Sequence, residues 1–121
     1  MLNLKNIKSI AVIGASNNQA KFGYKIVKNL LSRNFVVVPI NQGEKEILEQ
    51  KVYSGLAELN TKVDLLVFVV PPESGLLILQ KAYQLGYRKF WFQPGAESQE
   101  IKEFLQTKKD LDFVLNSCIM F

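Results

Sequence analysis

Apolar positions along the chain follow two rhythms. Short apolar runs at residues 10–13, 35–38, 63–70 (interrupted only by Asp64), 90–92 and 113–115 are rich in β-branched or aromatic side chains. Such runs read as strands buried on both faces. The stretch from Leu65 to Val70 has no polar position, which places that strand mid-sheet. Between the runs the spacing turns helical. Ile26, Val27, Leu30 and Leu31 form one stripe, with the helix starting between Asn18 and Gly23 and closed by Asn34 in the left-handed conformation. A second helix follows Pro71 and Pro72, carries Glu73 in its first turn and stops at Gly86. A third is capped by Ser98 and turns Ile101, Phe104 and Leu105 inward. Residues 1–8 are a lead-in, Pro39 stops the second strand, residues 42–51 suit a loop or short surface helix, and Ser54 caps a short helix over 56–59.

Strands alternating with helices call for a parallel sheet covered on both sides. The expected class is α/β: a Rossmann-like, doubly wound, five-stranded parallel sheet in three αβα layers, with residues 1–121 as one domain. Residues 9–23 carry its opening: an apolar strand, Gly14, small polar residues, then a helix. A glycine there lets the backbone approach a phosphate, and the helix N-terminus supplies N–H groups and partial positive charge. A dinucleotide fingerprint would need glycines at 14, 16 and 19; this chain has Gly14, Ser16 and Gln19, and its next glycine is Gly23. The longer turn suits a bulky phosphate ligand wrapped less tightly than NAD. It also suits a glycine that only reverses the chain.

Ligands of such sheets bind at the carboxyl ends of the strands. Here that edge comprises residues 14–21, 39–42, 70–73, 93–95 and 116–118. It holds no carboxylate pair, no base–nucleophile pair and no metal cluster, which describes a binding site better than a catalytic one. The chain has no histidine, so His-based triads, phosphohistidine and His metal sites are excluded. An NAD enzyme wants an acid after the second strand, where Pro39, Ile40 and Asn41 stand. A receiver domain wants an aspartate after the central strand, where Val70 and Pro71 stand, and no P-loop is present.

A net charge of +4 is spread thinly, with Lys108 and Lys109 the one adjacent pair of lysines, so no nucleic-acid stripe is visible. No apolar run approaches a membrane span, and the N-terminus lacks a signal-peptide layout. The single cysteine cannot form an internal disulfide, and a cytoplasmic setting is expected.

Six segments in register carry a resemblance. They are Gly14-Ala15-Ser16, Pro39-Ile40-Asn41, Val52-Tyr53-Ser54-Gly55-Leu56, Val70-Pro71-Pro72-Glu73, Trp91-Phe92-Gln93-Pro94-Gly95 and Asn116-Ser117-Cys118-Ile119-Met120. Together they resemble the small single-domain CoA-binding protein family, which is similar to the CoA-binding domain of the succinyl-CoA synthetase α subunit. The resemblance implies CoA or acyl-CoA as ligand. Following Gly14 of the binding loop, Ala15, Ser16 and Asn17 would lie against the phosphates through backbone amides and Lys21 would meet a phosphate; Pro39, Ile40 and Asn41 would line the adenine–ribose side. Val70, Pro71 and Pro72 would line the pantetheine channel, with Gln93, Pro94, Gly95, Asn116 and Cys118 at its far end. The synthetase domain that bears a phosphorylated histidine has no counterpart in these segments, so ligase chemistry is not carried over.

The expected function is therefore a non-catalytic CoA-binding or regulatory module, taking a small nucleotide ligand and neither nucleic acid nor membrane; the sequence names no protein partner. The alternatives are an NAD(P)-binding oxidoreductase domain and a fold-only interaction protein. Individual residues keep their plainer roles beside these: Lys21 as a solvated lysine, Pro71 and Pro72 as a strand stop, Trp91 and Tyr53 as packing aromatics, Cys118 as a small buried residue, and Asn41 as a turn cap.

Overall fold

All five apolar runs become strands of one parallel sheet in the computed structural model, which describes residues 2–121. Of the predicted lead-in, Met1 lies outside the described residues, and Leu4–Asn6 form a single 3-10 turn. In chain order the elements are β1 (Ser9–Ile13), α1 (Phe22–Ser32), β2 (Val36–Ile40), β3 (Glu46–Ile47), β4 (Gln50–Lys51), β5 (Leu65–Phe68), α2 (Pro72–Gln84), β6 (Lys89–Phe92), α3 (Gln99–Gln106) and β7 (Asp112–Val114). The main sheet runs β2-β1-β5-β6-β7 and every pairing is parallel. This is a Rossmann-like αβα fold, wound outward in both directions from β1 and β5.

Side-chain alternation along each strand divides the core in two. Ile10, Val12, Val37, Leu65 and Val67 point to one face, where Ile26, Val27 and Leu30 of α1 cover them. Ala11, Ile13, Leu66, Phe68, Phe90 and Phe92 point to the other, beneath Leu79 and Ala82 of α2 and Ile101 and Leu105 of α3. On that side Phe68 stacks on Phe92 with ring centroids 4.3 Å apart and meets Phe90 edge-on at 6.2 Å. Fully burying side chains of this size contributes about 1.5–3 kcal/mol each, so this trio anchors β5 to β6.

The chain after β7 returns to the α1 face. Ile119 is fully buried there, the Trp91 indole N–H donates to Ser117 O (2.8 Å), and an Arg33 guanidinium N–H donates to Ile119 O (2.8 Å).

The structure shifts several predicted boundaries. β2 runs through Pro39 to Ile40, because it is an edge strand; Pro39 pairs in register with Val12, and its carbonyl accepts from Tyr53 N–H on the outer side (3.1 Å). Residues 42–51 hold the β3–β4 hairpin, not a helix. The short helix after it is a 3-10 turn, Leu56–Glu58, flanked by Gly55; the Ser54 hydroxyl reaches the Glu58 carboxylate and caps no backbone. Ser98 does cap α3, accepting from Ile101 N–H (3.2 Å). Among the described residues no helix is long and apolar enough to cross a membrane.

Candidate functional site

The sheet's winding reverses between β1 and β5. The chain leaving β1 enters α1 on one face, and the chain leaving β5 enters α2 on the other. The two departures leave a crevice at the carboxyl ends of the strands, the usual ligand position in open α/β sheets.

Gly14 opens this crevice. Its φ of +97° is one that L side chains rarely adopt, and a Cβ there would sit 2.6 Å from Val69 O and 2.8 Å from Val70 Cγ1. Both conformation and space therefore demand glycine. The loop beyond it is tightly tied. Ser16 Oγ accepts from Asn18 N–H (3.0 Å), and Asn18 Oδ1 from Ala20 N–H (3.0 Å). The Asn17 amide donates to Glu46 O (2.9 Å) and to the Glu44 carboxylate, so the β3–β4 hairpin braces the loop. Asn41 adds a second brace: its Nδ2 donates to Ala15 O (2.8 Å), while its Oδ1 accepts from Gly43 and Glu44 N–H groups (2.7 and 3.0 Å).

α1 then begins at Phe22 without any side-chain cap and with no acidic residue in its first turn; Lys21 stands at the cap position. A cap such as Ser or Asp would satisfy one of the first free N–H groups and quench part of the dipole. α2, which opens on the same edge, is also uncapped by a side chain, with Pro71 at its cap position and Glu73 in its first turn. α3 by contrast carries the Ser98 cap. The helix start on the Gly14 loop is thus a natural anion seat.

Two cavities flank this loop and share Val70. The larger, of about 590 Å³, lies between the ends of β1 and β2, the crossover at residues 54–57 and one face of α2. Its polar groups come from Asn41, Gln42, Ser54, Ser74 and Lys81. The smaller, of about 360 Å³, lies at the ends of β5 and β6 and is lined mostly by apolar side chains, with Gln93 and Cys118. No acidic residue lines either. The two aspartates whose pKa is pushed down lie at the amino end of the sheet: Asp64, through backbone N–H donation from Lys8 and Ser9, and Asp110, through hydrogen bonding and charge from Arg88. They fasten strands and stand away from the crevice.

Of the residues expected from sequence, the structure brings Gly14, Ile40, Asn41 and Val70 to the larger cavity. Val70, Pro71, Gln93, Pro94, Gly95 and Cys118 come to the smaller one. Ala15, Ser16, Asn17 and Lys21 form the loop and helix start near them, lining neither; Ala15 is buried and Lys21 is exposed. Pro39 is buried within β2, Pro72 is the first residue of α2, and exposed Asn116 sits at φ +58°, all three outside the linings. Sequence reasoning missed Ser74, Ile78 and Lys81, which follow one face of α2 at helical spacing beside its buried stripe of Gly75, Leu79 and Ala82. It also missed Phe22, whose ring is 59% exposed beside the smaller cavity.

Residues 8–121 match the CoA-binding domain family. The chain is 40% identical over 91 residues to the alpha subunit of ADP-forming acetate–CoA ligase I of Pyrococcus furiosus, a match covering 70% of this chain and 20% of that subunit. It is 44% identical over 64 residues to an ADP-forming acetate–CoA ligase of Methanocaldococcus jannaschii, covering 53% of this chain and 9% of that enzyme. The chain thus spans a fifth or less of the length of these two enzymes. A solved structure of a conserved hypothetical protein from Pyrococcus furiosus superposes with a TM-score of 0.88 at 46% identity, covering 93% of this chain and 97% of that one.

Proposed function

The chain belongs to the CoA-binding domain family, and from that premise we propose that it binds CoA or an acyl-CoA at the carboxyl edge of its sheet. The observation that carries the reading is the uncapped start of α1 on the Gly14 loop, a rigid anion seat between two cavities of different character. The diphosphate would lie at that seat, near Lys21. The larger cavity, with Ser54, Ser74 and Lys81, suits the adenosine end and its 3′-phosphate. The smaller suits the pantetheine thiol end, beyond Val70 and Pro71.

The same geometry argues against NAD. Asn41 stands where a ribose-gripping acid belongs, and its amide is already engaged with Ala15, Gly43 and Glu44. We read the protein as a binding or regulatory module. The cavities bring together no acid–base pair, and the chemistry of the much longer ligases is not assigned to it.

Thermal unfolding with added nucleotide tests this. CoA at a hundredfold excess over its Kd is expected to stabilise the protein by about 2.7 kcal/mol, with NAD and NADP doing much less. An equal or larger shift with NAD would overturn the CoA assignment.

A further inference from the structure

We propose that the smaller cavity is an acyl pocket, so that the preferred ligand is a CoA thioester of an apolar acyl group rather than free CoA or a dicarboxylic acyl-CoA. The inference rests on the CoA reading above and adds the chemical class of the acyl group.

The cavity holds about 360 Å³. At roughly 30 Å³ for a water-sized group, that half-open volume exceeds what a bare thiol end needs. Its lining carries no charged side chain: Val69, Pro71, Pro94 and Ala96 form the wall, with the exposed rings of Phe22 and Phe121 at the rim. The one side-chain amide in the lining is largely committed, with one of its two N–H groups left over. Gln93 is 5% exposed, its Nε2 donates to Cys118 Sγ (3.2 Å), and its Oε1 accepts from Ile119 N–H (2.9 Å). A carboxylate placed inside would therefore trade its full water shell for at most one amide N–H, with no cation in the lining to pair it. An alkyl chain would lose nothing and cover apolar surface.

Phe22 points to the same use. The first residue of a helix is ordinarily polar or proline, yet here an exposed aromatic ring stands at the cavity mouth. Lys25 lies against that ring, its Nζ 5.5 Å from the centroid, and is not part of the cavity wall. Each methylene buried in such a pocket is worth up to about fourfold in affinity.

Titration calorimetry with CoA, hexanoyl-CoA and succinyl-CoA tests the proposal on the wild type and on Phe22→Ala, whose exposed site should not compromise folding. Hexanoyl-CoA is expected to bind at least tenfold more tightly than CoA, and succinyl-CoA no more tightly than CoA. In Phe22→Ala the hexanoyl-to-CoA affinity ratio should fall at least threefold. If CoA binds but hexanoyl-CoA gains nothing, or succinyl-CoA binds more tightly than both, the acyl pocket is refuted while the CoA reading stands. If neither CoA nor any thioester binds, the CoA reading itself fails and the acyl pocket with it.

Discussion

Gly23, in the first turn of α1, packs directly on the backbone of Gly14: a Cβ at position 23 would run into the Gly14 carbonyl oxygen. The third glycine of a dinucleotide fingerprint serves close helix–strand packing, and in this chain Gly23 takes over that service from further along the turn. The obstacle is backbone, so it cannot swing aside. Gly23→Ala is expected to lose about 1–3 kcal/mol of stability, in the range of overpacked cores. It should also weaken CoA binding, because the helix start is pushed off the loop. Urea unfolding and calorimetry on the same variant check both; unchanged values would mean that the loop yields freely.

Lys21 stands beside the uncapped start of α1 and is exposed. Replacing it by glutamate removes an attraction and adds a repulsion, each on the order of 1 kcal/mol for a partly screened charge. The expected result is a tenfold or greater loss of CoA affinity at low salt, shrinking as salt is raised. Equal affinities for Lys21→Glu and wild type at low salt would place Lys21 outside the phosphate seat.

The β3–β4 hairpin turns on Leu48 and Glu49, with φ of +49° and +66°, and these two residues separate the paired Ile47 and Gln50. Two-residue turns with positive φ at both positions favour asparagine and glycine. Glu49→Gly should relieve the left-handed strain and raise stability by about 0.5–1 kcal/mol, seen as a higher denaturant midpoint. A lower midpoint would show that Glu49 contributes something other than the turn.

Asp64 accepts from the N–H groups of Lys8 and Ser9 (2.8 and 3.2 Å), with the Lys8 bond the larger cause of its lowered pKa. A carboxyl depressed in the folded state stabilises it above the unfolded value, near 3.9, and loses that contribution as pH falls toward the folded value. The wild type should therefore lose thermal stability on acidification from about pH 5 downward more steeply than Asp64→Asn. Parallel pH profiles for the two proteins would contradict this.

The strand–glycine–helix opening, the five parallel strands and the αβα layering were legible because each rests on local pattern: short apolar runs, Gly14, and stripes at helical spacing. What escaped depended on tertiary context. Pro39 reads as a stop, but an edge strand has no partner waiting for its missing N–H. Residues 42–51 hid their hairpin because Leu48 and Glu49 carry none of the usual turn chemistry. Ser74, Ile78 and Lys81 looked like any amphipathic helix face; only the placement of α2 beside the Gly14 crevice makes them cavity walls. The side chains of Asn17 and Asn41 also brace the loop, which leaves the Asn17 backbone amide and the cavity-facing side of Asn41 as expected from sequence. That role is written in bonds between residues 26 and 29 positions apart, which no local spacing reveals.

The most direct test of the central claim is an amide NMR titration of the intact protein with CoA. The account predicts saturable shifts concentrated on residues 14–17, on Phe22 and Gly23 at the start of α1, and on the two cavity linings that meet at Val70. The amides of Asp64 and Asp110, at the opposite end of the sheet, should stay still. No shifts at millimolar CoA, or shifts confined to surfaces away from the Gly14 loop, would contradict it.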